Sequence, residues 1–143
     1  MIFAAHNQGV VDHALLVLYL KYCAYLINVK KAYLWIMVIK DEILKKKADF
    51  STLCKNHKVR ALYAFGSSAT DKFNDITSDI DLLVEIDIPD PIERGEKLLS
   101  LWDTFELFFH RKVDLLTDSS VRNPYLRKNI DSTKVLIYDG KET

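Results

Sequence analysis

The most regular feature of the chain is an alternation near its middle, where Ile80, Leu82, Val84, Ile86 and Ile88 stand at every second position with Asp79, Asp81, Leu83, Glu85 and Asp87 between them. Side chains of an extended strand point to opposite faces in turn, so this pattern predicts a strand with one apolar face and one mostly acidic face. Just upstream, Val59, Ala61, Tyr63 and Phe65 alternate with Arg60, Leu62 and Ala64. Apolar residues on both faces suit a central strand, and it ends at Gly66. Residues Ser67 to Thr77 are polar and read as a loop with one helical turn near Ser68 to Lys72. After the acidic strand, Pro89-Asp90-Pro91 stops extension and opens a helix. Asp90 takes the N-cap, Pro91 the first helical position, and Glu93 completes a box-like pattern. Leu98, Leu101, Trp102, Phe105, Phe108 and Phe109 give that helix a broad apolar stripe. Val113, Leu115 and Thr117 predict a further strand with Asp114 on its other face. Pro124 opens a short amphipathic helix around Tyr125 to Ile130, and Val135 to Tyr138 closes the chain as a strand. Strands and helices alternate, so the predicted class is α/β or α+β, a short mixed sheet flanked by helices.

The amino-terminal third follows another pattern. From Val10 to Ile39 the chain is strongly apolar, densest over Ala14 to Leu20, and no glycine or proline falls between Val10 and Phe65. One long helix or two is the natural prediction, with Lys40 to His57 continuing as helix, Lys45-Lys46-Lys47 as its solvated face, and Asp49 or Ser51 capping a following short helix. A membrane span needs about 20 apolar residues. Lys21 interrupts this stretch, at about 2.5 to 3.5 kcal/mol for a central lysine, and Lys30-Lys31 close it, so a core or partner-packing helix is expected ahead of a membrane anchor. No basic region precedes the run, as a signal peptide would require. On this basis residues 1–36 form an apolar helical extension, whose native status turns on whether Met37 is the true start, and residues 37–143 form the main domain.

At 143 residues the chain suits one compact domain. Lysine plus arginine equal aspartate plus glutamate at 20 each, which removes the electrostatic case for a protein wrapping a nucleic-acid polymer. Cys23 and Cys54 have no metal-ligand spacing and are expected as free thiols in a reducing cytoplasm.

Candidate chemistry gathers at three places: Gly66-Ser67, Asp79-x-Asp81, and Asp114. An acidic strand face alone is most simply a solvated face. Three details favour a site. Asp79 and Asp81 share a face, and like charges that close are unfavourable without a cation. Gly66-Ser67 ends a strand where backbone N–H groups can approach an anion. Asp114 sits between Val113 and Leu115, a costly setting for a charge that lacks a partner. Hard oxygen ligands of this kind suit Mg²⁺. In a two-metal arrangement Asp79 and Asp81 would bridge ions that bind a triphosphate, and Asp114 would complete the ion that activates an attacking hydroxyl.

These residues resemble the minimal nucleotidyltransferase (MNT) branch of the DNA polymerase beta-like superfamily. That family is marked by a Gly-Ser, a spacer of about ten residues, Asp-x-Asp and a later strand aspartate. Here Gly66-Ser67, Asp79-x-Asp81 and Asp114 fill those places, and the likeness extends from Met37 to the carboxy terminus, including Asn123-Pro124-Tyr125. The resemblance implies catalysis and Mg²⁺ binding by Asp79, Asp81 and Asp114, with nucleotide binding by Gly66, Ser67, Ser68 and Lys72 and ATP as the donor. The spacer after Ser67 is one residue longer than the family's, and Ser68-Ala69-Thr70 lacks the arginine that many members place there, leaving Lys72 as the substitute cation. Members of this size resemble antitoxins of HEPN/MNT toxin-antitoxin pairs, which transfer AMP to a tyrosine of the HEPN toxin. The resemblance therefore implies a cytoplasmic enzyme with a HEPN partner, no nucleic-acid polymer and no membrane, the apolar amino-terminal region serving as a partner or dimer surface. Two other functions fit the same residues: a non-catalytic antitoxin that occludes its partner, and a nucleotidyltransferase acting on an aminoglycoside-like hydroxyl.

Overall fold

The computed structural model describes residues 13–66 and 79–142, the side chains of 28–35 excepted. Within them the order is α1 (His13–Lys45), α2 (Lys47–Asn56), β1 (Val59–Phe65), β2 (Ile80–Ile86), α3 (Pro91–Phe109), β3 (Val113–Thr117), a 3-10 turn (Asp118–Ser120), α4 (Pro124–Thr133) and β4 (Val135–Asp139). The strands form one sheet in the order β3-β2-β1-β4. β1 runs antiparallel to β2 and β4, whereas β2 and β3 are parallel. A parallel pair needs a crossover, and α3 supplies it.

The period-two pattern sorts the two faces. Leu62, Ala64, Ile80, Leu82, Val84 and Val113 join Phe50 and Cys54 of α2 and Leu101, Phe105 and Phe109 of α3 in the larger core, with Ile39 and Ile43 from the end of α1. Residues of the other parity, Phe65 and Leu83, pack with Val121 and with Ile130 of α4. Helices therefore cover both faces, α2 and α3 on one and α4 on the other. Phe50 is the hub of the larger core, its ring centroid lying 6.0 Å from Phe105, 5.2 Å from Phe108, 6.2 Å from Phe109 and 6.1 Å from Tyr138.

Both predicted helix starts are present, although Glu93 does not complete the box-like pattern and instead pairs with Lys58 at 3.5 Å. Asp90 Oδ1 accepts from the N–H groups of Ile92 at 2.9 Å and Glu93 at 2.8 Å, with Pro91 next to the cap. Asn123 Oδ1 likewise accepts from Tyr125 at 2.9 Å and Leu126 at 3.4 Å, satisfying donors that a helix start leaves open.

Three expectations change. The helix expected to run from Lys40 to His57 is divided at Lys46, whose φ of −124° is not helical; the break lets Phe50 and Cys54 turn into the core that Ile39 and Ile43 also enter. Asp49 and Ser51 accordingly lie inside α2 and cap nothing. The acidic strand ends at Ile86, although Ile88 beyond it is still buried. The helical turn expected near Ser68 to Lys72 lies outside the described residues. The amino-terminal prediction of one long helix is met by α1, which passes through residues 36 and 37 without interruption. Its early residues do not fill a core: Leu15, Leu18, Tyr19, Leu20, Tyr22 and Tyr25 are exposed. Among the described residues no helix is long and apolar enough to cross a membrane.

Truncating the hub should be costly: Phe50→Ala is expected to lower unfolding free energy by about 3–5 kcal/mol in urea titrations. Burial pushes the Cys54 thiol from 9.0 up to about 12. The folded state thus holds this proton more tightly than the unfolded state, and the stability it contributes, complete below pH 9, is lost as pH rises toward 12. Ellman's reagent at pH 9 is expected to titrate Cys23 in the native protein and Cys54 only after denaturant is added.

Candidate active site

Each candidate residue sits near the end of a strand at one side of the sheet. Gly66 follows the last residue of β1, Asp81 is the second residue of β2 and Asp114 the second of β3. The register pairs Asp81 with Phe65 across the antiparallel ladder and with Asp114 across the parallel one. Leu83 and Leu116, each two residues further along, both belong to the α4-side cluster, so Asp81 and Asp114 share that face. Neighbouring strands lie about 4.8 Å apart, which sets the two carboxylates side by side.

Gly66 closes the site on the β1 side. Its φ of +106° is one that residues with a Cβ rarely adopt, and an added Cβ would run into the Asp81 carboxylate, 2.9 Å from Cγ and 3.0 Å from Cβ. The Gly66 N–H donates to Thr133 Oγ1 at 3.4 Å, and that hydroxyl donates to the Asn129 C=O at 2.7 Å. The bend at the end of β1 is thereby tied to the last turn of α4.

A cleft of about 920 Å³ opens here, with Gly66, Asp81 and Asp114 joined by Trp102 of α3 and by Tyr125, Leu126 and Asn129 of α4. α4 is held as a wall by Arg127, whose guanidinium bonds the Asp118 carboxylate, the Asp118 C=O at 2.7 Å and the Val121 C=O at 3.3 Å. On the α3 side the Trp102 Nε1–H donates to the Val113 C=O at 2.6 Å, and Glu106 Oε1 accepts from the Val113 N–H at 3.1 Å.

The structure therefore brings together Gly66, Asp81 and Asp114. Asp79 is exposed and precedes the first residue of β2, and it is not part of the cleft lining. Ser67, Ser68 and Lys72 lie outside the described residues. The costly setting expected for Asp114 is corrected, because the residue is exposed on the cleft, where water and ligands solvate its charge. Trp102 also departs from expectation: assigned to the buried stripe of its helix, it is 42% exposed. Tyr125, Leu126 and Asn129 had no assigned role, and the available signal was the Asn123-Pro124 helix start, which points the first turn of α4 at the site.

Among the described residues no three histidine, cysteine, aspartate or glutamate side chains converge as a metal cage. The donor set fits Mg²⁺ in another way, since that ion takes one or two carboxylates and completes its shell with substrate phosphates and water. Asp81 and Asp114 supply two.

The profile of the family described as "Polymerase beta, Nucleotidyltransferase" matches residues 48–143. The chain belongs to that nucleotidyltransferase family. A Methanocaldococcus jannaschii relative bearing the name "Putative protein adenylyltransferase MJ0126" is 36% identical over 99 residues, 69% of this chain and 94% of its own length. A second from the same organism, with the same kind of name, is 38% identical over 96 residues, 67% of this chain and 92% of its own. Among solved structures, a chain of a toxin-antitoxin crystal structure with AMP-PNP aligns with a TM-score of 0.45 at 22% identity, covering 72% of this chain and 75% of that one. A chain from a complex of tri-AMPylated Shewanella oneidensis HEPN toxin with MNT antitoxin aligns at 0.40 and 22% identity over 74% of each.

For this nucleotidyltransferase the glycine bend gives a direct test. Gly66→Ala is expected to lower stability by about 1–3 kcal/mol through the strained φ, measured by thermal or urea unfolding. It should also lower nucleotidyl transfer, because the new methyl displaces the Asp81 carboxylate.

Proposed function

We propose that this nucleotidyltransferase transfers AMP from Mg-ATP to a protein hydroxyl, a tyrosine of a HEPN-family toxin, and that this modification makes it the antitoxin of a cytoplasmic pair. The observation carrying the chemistry is the pairing of Asp81 with Asp114 in parallel register on one face of the cleft. Relatives named as protein adenylyltransferases support a protein acceptor, and the HEPN partner follows from the resemblance to MNT antitoxins.

In this reaction the acceptor oxygen attacks the α-phosphorus, the bond from that phosphorus to the bridging oxygen of the β-phosphate breaks, and pyrophosphate leaves with that bond's electron pair. Asp114 would take the hydroxyl proton. Asp79 and Asp81 would hold Mg²⁺ against the triphosphate, with Asp114 completing a second ion's shell. The bound metal supplies Lewis-acid charge neutralisation at the reacting phosphate. Gly66, whose missing Cβ lets the Asp81 carboxylate lie against the bend, would bind the phosphates together with Ser67, Ser68 and Lys72. The cleft walls orient the reactants, which is where most of the rate advantage of such a site arises.

Exposed apolar residues along α1 favour a second reading, in which that helix is a partner surface and binding alone neutralises the toxin. One experiment separates the two. Purified protein, Mg²⁺ and α-labelled ATP are incubated with the HEPN-family protein encoded beside it, and label is expected on the toxin. Asp81→Asn and Asp114→Asn should each reduce transfer on the order of a hundredfold or more, and EDTA should stop it. If either variant still rescues cells from the toxin after transfer is lost, occlusion is the function.

A further inference from the structure

The cleft straddles the free edge of the sheet. β3 is the outermost strand on its side, and the cleft runs over it, with Trp102 of α3 against one face and Tyr125 of α4 against the other. Along a parallel strand the N–H and C=O of successive residues turn to opposite sides in alternation. The Ile80 N–H donates to the Lys112 C=O at 2.9 Å, so Lys112, Asp114 and Leu116 address β2, while Val113, Leu115 and Thr117 address the edge.

Two of those three outward residues are blocked. Val113 is bonded through its N–H to Glu106 and through its C=O to Trp102. Thr117 is bonded through its N–H to Ser120 Oγ at 3.1 Å and accepts from the same hydroxyl at 2.8 Å. The backbone of Leu115, between them, has no such partner among the described residues. Side chains that occupy edge backbone are a usual defence against unwanted strand pairing. Here the defence stops at one residue, inside the cleft and next to Asp114.

We propose that the Leu115 backbone pairs with an extended segment of the acceptor protein, adding a short strand to the β3 edge and bringing a hydroxyl to Asp114. The proposal rests on the nucleotidyl-transfer reading and specifies the substrate class as an extended peptide. A donor and an acceptor on one residue, at strand spacing, are matched by another backbone. The surface is continuous with the carboxylate site, and Trp102 and Tyr125 flank it as apolar walls for alternate side chains. Residues on either side of the one paired with Leu115 project to the Asp114 face, and one of these carries the hydroxyl. The blocked neighbours limit the pairing to a single residue, which selects a short extended stretch over a long strand.

Amide hydrogen exchange of the full chain, resolved by NMR, tests this with a random copolymer of alanine, glutamate, lysine and tyrosine as the acceptor probe. The copolymer is expected to slow exchange of the Leu115 amide roughly tenfold while the Val113 amide, already bonded to Glu106, is unchanged. Leu115→Pro removes the donor at an edge position that accepts proline, and should raise KM for the copolymer about fivefold or more, with kcat moved much less. Unslowed exchange at Leu115 while labelled AMP still reaches the copolymer overturns the edge pairing. Slowed exchange without any transfer overturns the nucleotidyl reading and leaves the pairing intact, and failure of both overturns both.

Discussion

The parallel pairing of β2 with β3 is the constraint on which the site depends. It aligns Asp81 with Asp114 across one inter-strand spacing and sets both carboxylates on one face. What holds them there is apolar: Ile80, Leu82, Val84 and Val113 on the opposite face are buried against α2 and α3. Hydrophobic burial on one side of the sheet thus fixes where the two carboxylates stand on the other. The crossover α3 links both roles. Its Phe105 and Phe109 belong to the core, and its Trp102 and Glu106 bind the β3 backbone at the cleft.

The same layering explains why this small domain can present a reactive face. α4 covers only part of the second face, through Ile130 and Val121 against Phe65 and Leu83, and leaves the carboxylate ends of β2 and β3 open. Arg127 fixes the start of α4 to the turn after β3, while Thr133 fixes its end to Gly66. A helix anchored at both ends makes a firm wall without a large interface.

Much of this was legible in the residues. The alternation from Asp79 to Ile88 assigns the faces of β2, and the Asp-Pro and Asn-Pro pairs mark two helix starts, because a capping carboxyl or amide and a fixed φ act locally. The grouping of Gly66 with Asp81 and Asp114 was implied by the family resemblance, whereas Asp79, which strand parity set beside Asp81, is not part of the cleft lining. Other features were hidden because they depend on neighbours distant in sequence. Asp114 looks costly between Val113 and Leu115 only if its strand is enclosed, and nothing local says that β3 lies at an edge. Trp102 matches the helical stripe of Phe105 and Phe109, yet the stripe is wider than the sheet beneath it, so its margin emerges into the cleft. The break at Lys46 likewise reflects where Phe50 must point to reach Phe105 and Tyr138, a demand of packing and not of propensity.

The tether between the Gly66 amide and Thr133 is long at 3.4 Å, at the weak end of amide hydrogen bonding. It is the longer of the two attachments of α4, since Arg127 reaches the Asp118 and Val121 carbonyls at 2.7 and 3.3 Å, so the helix is held more tightly at its start than at its close.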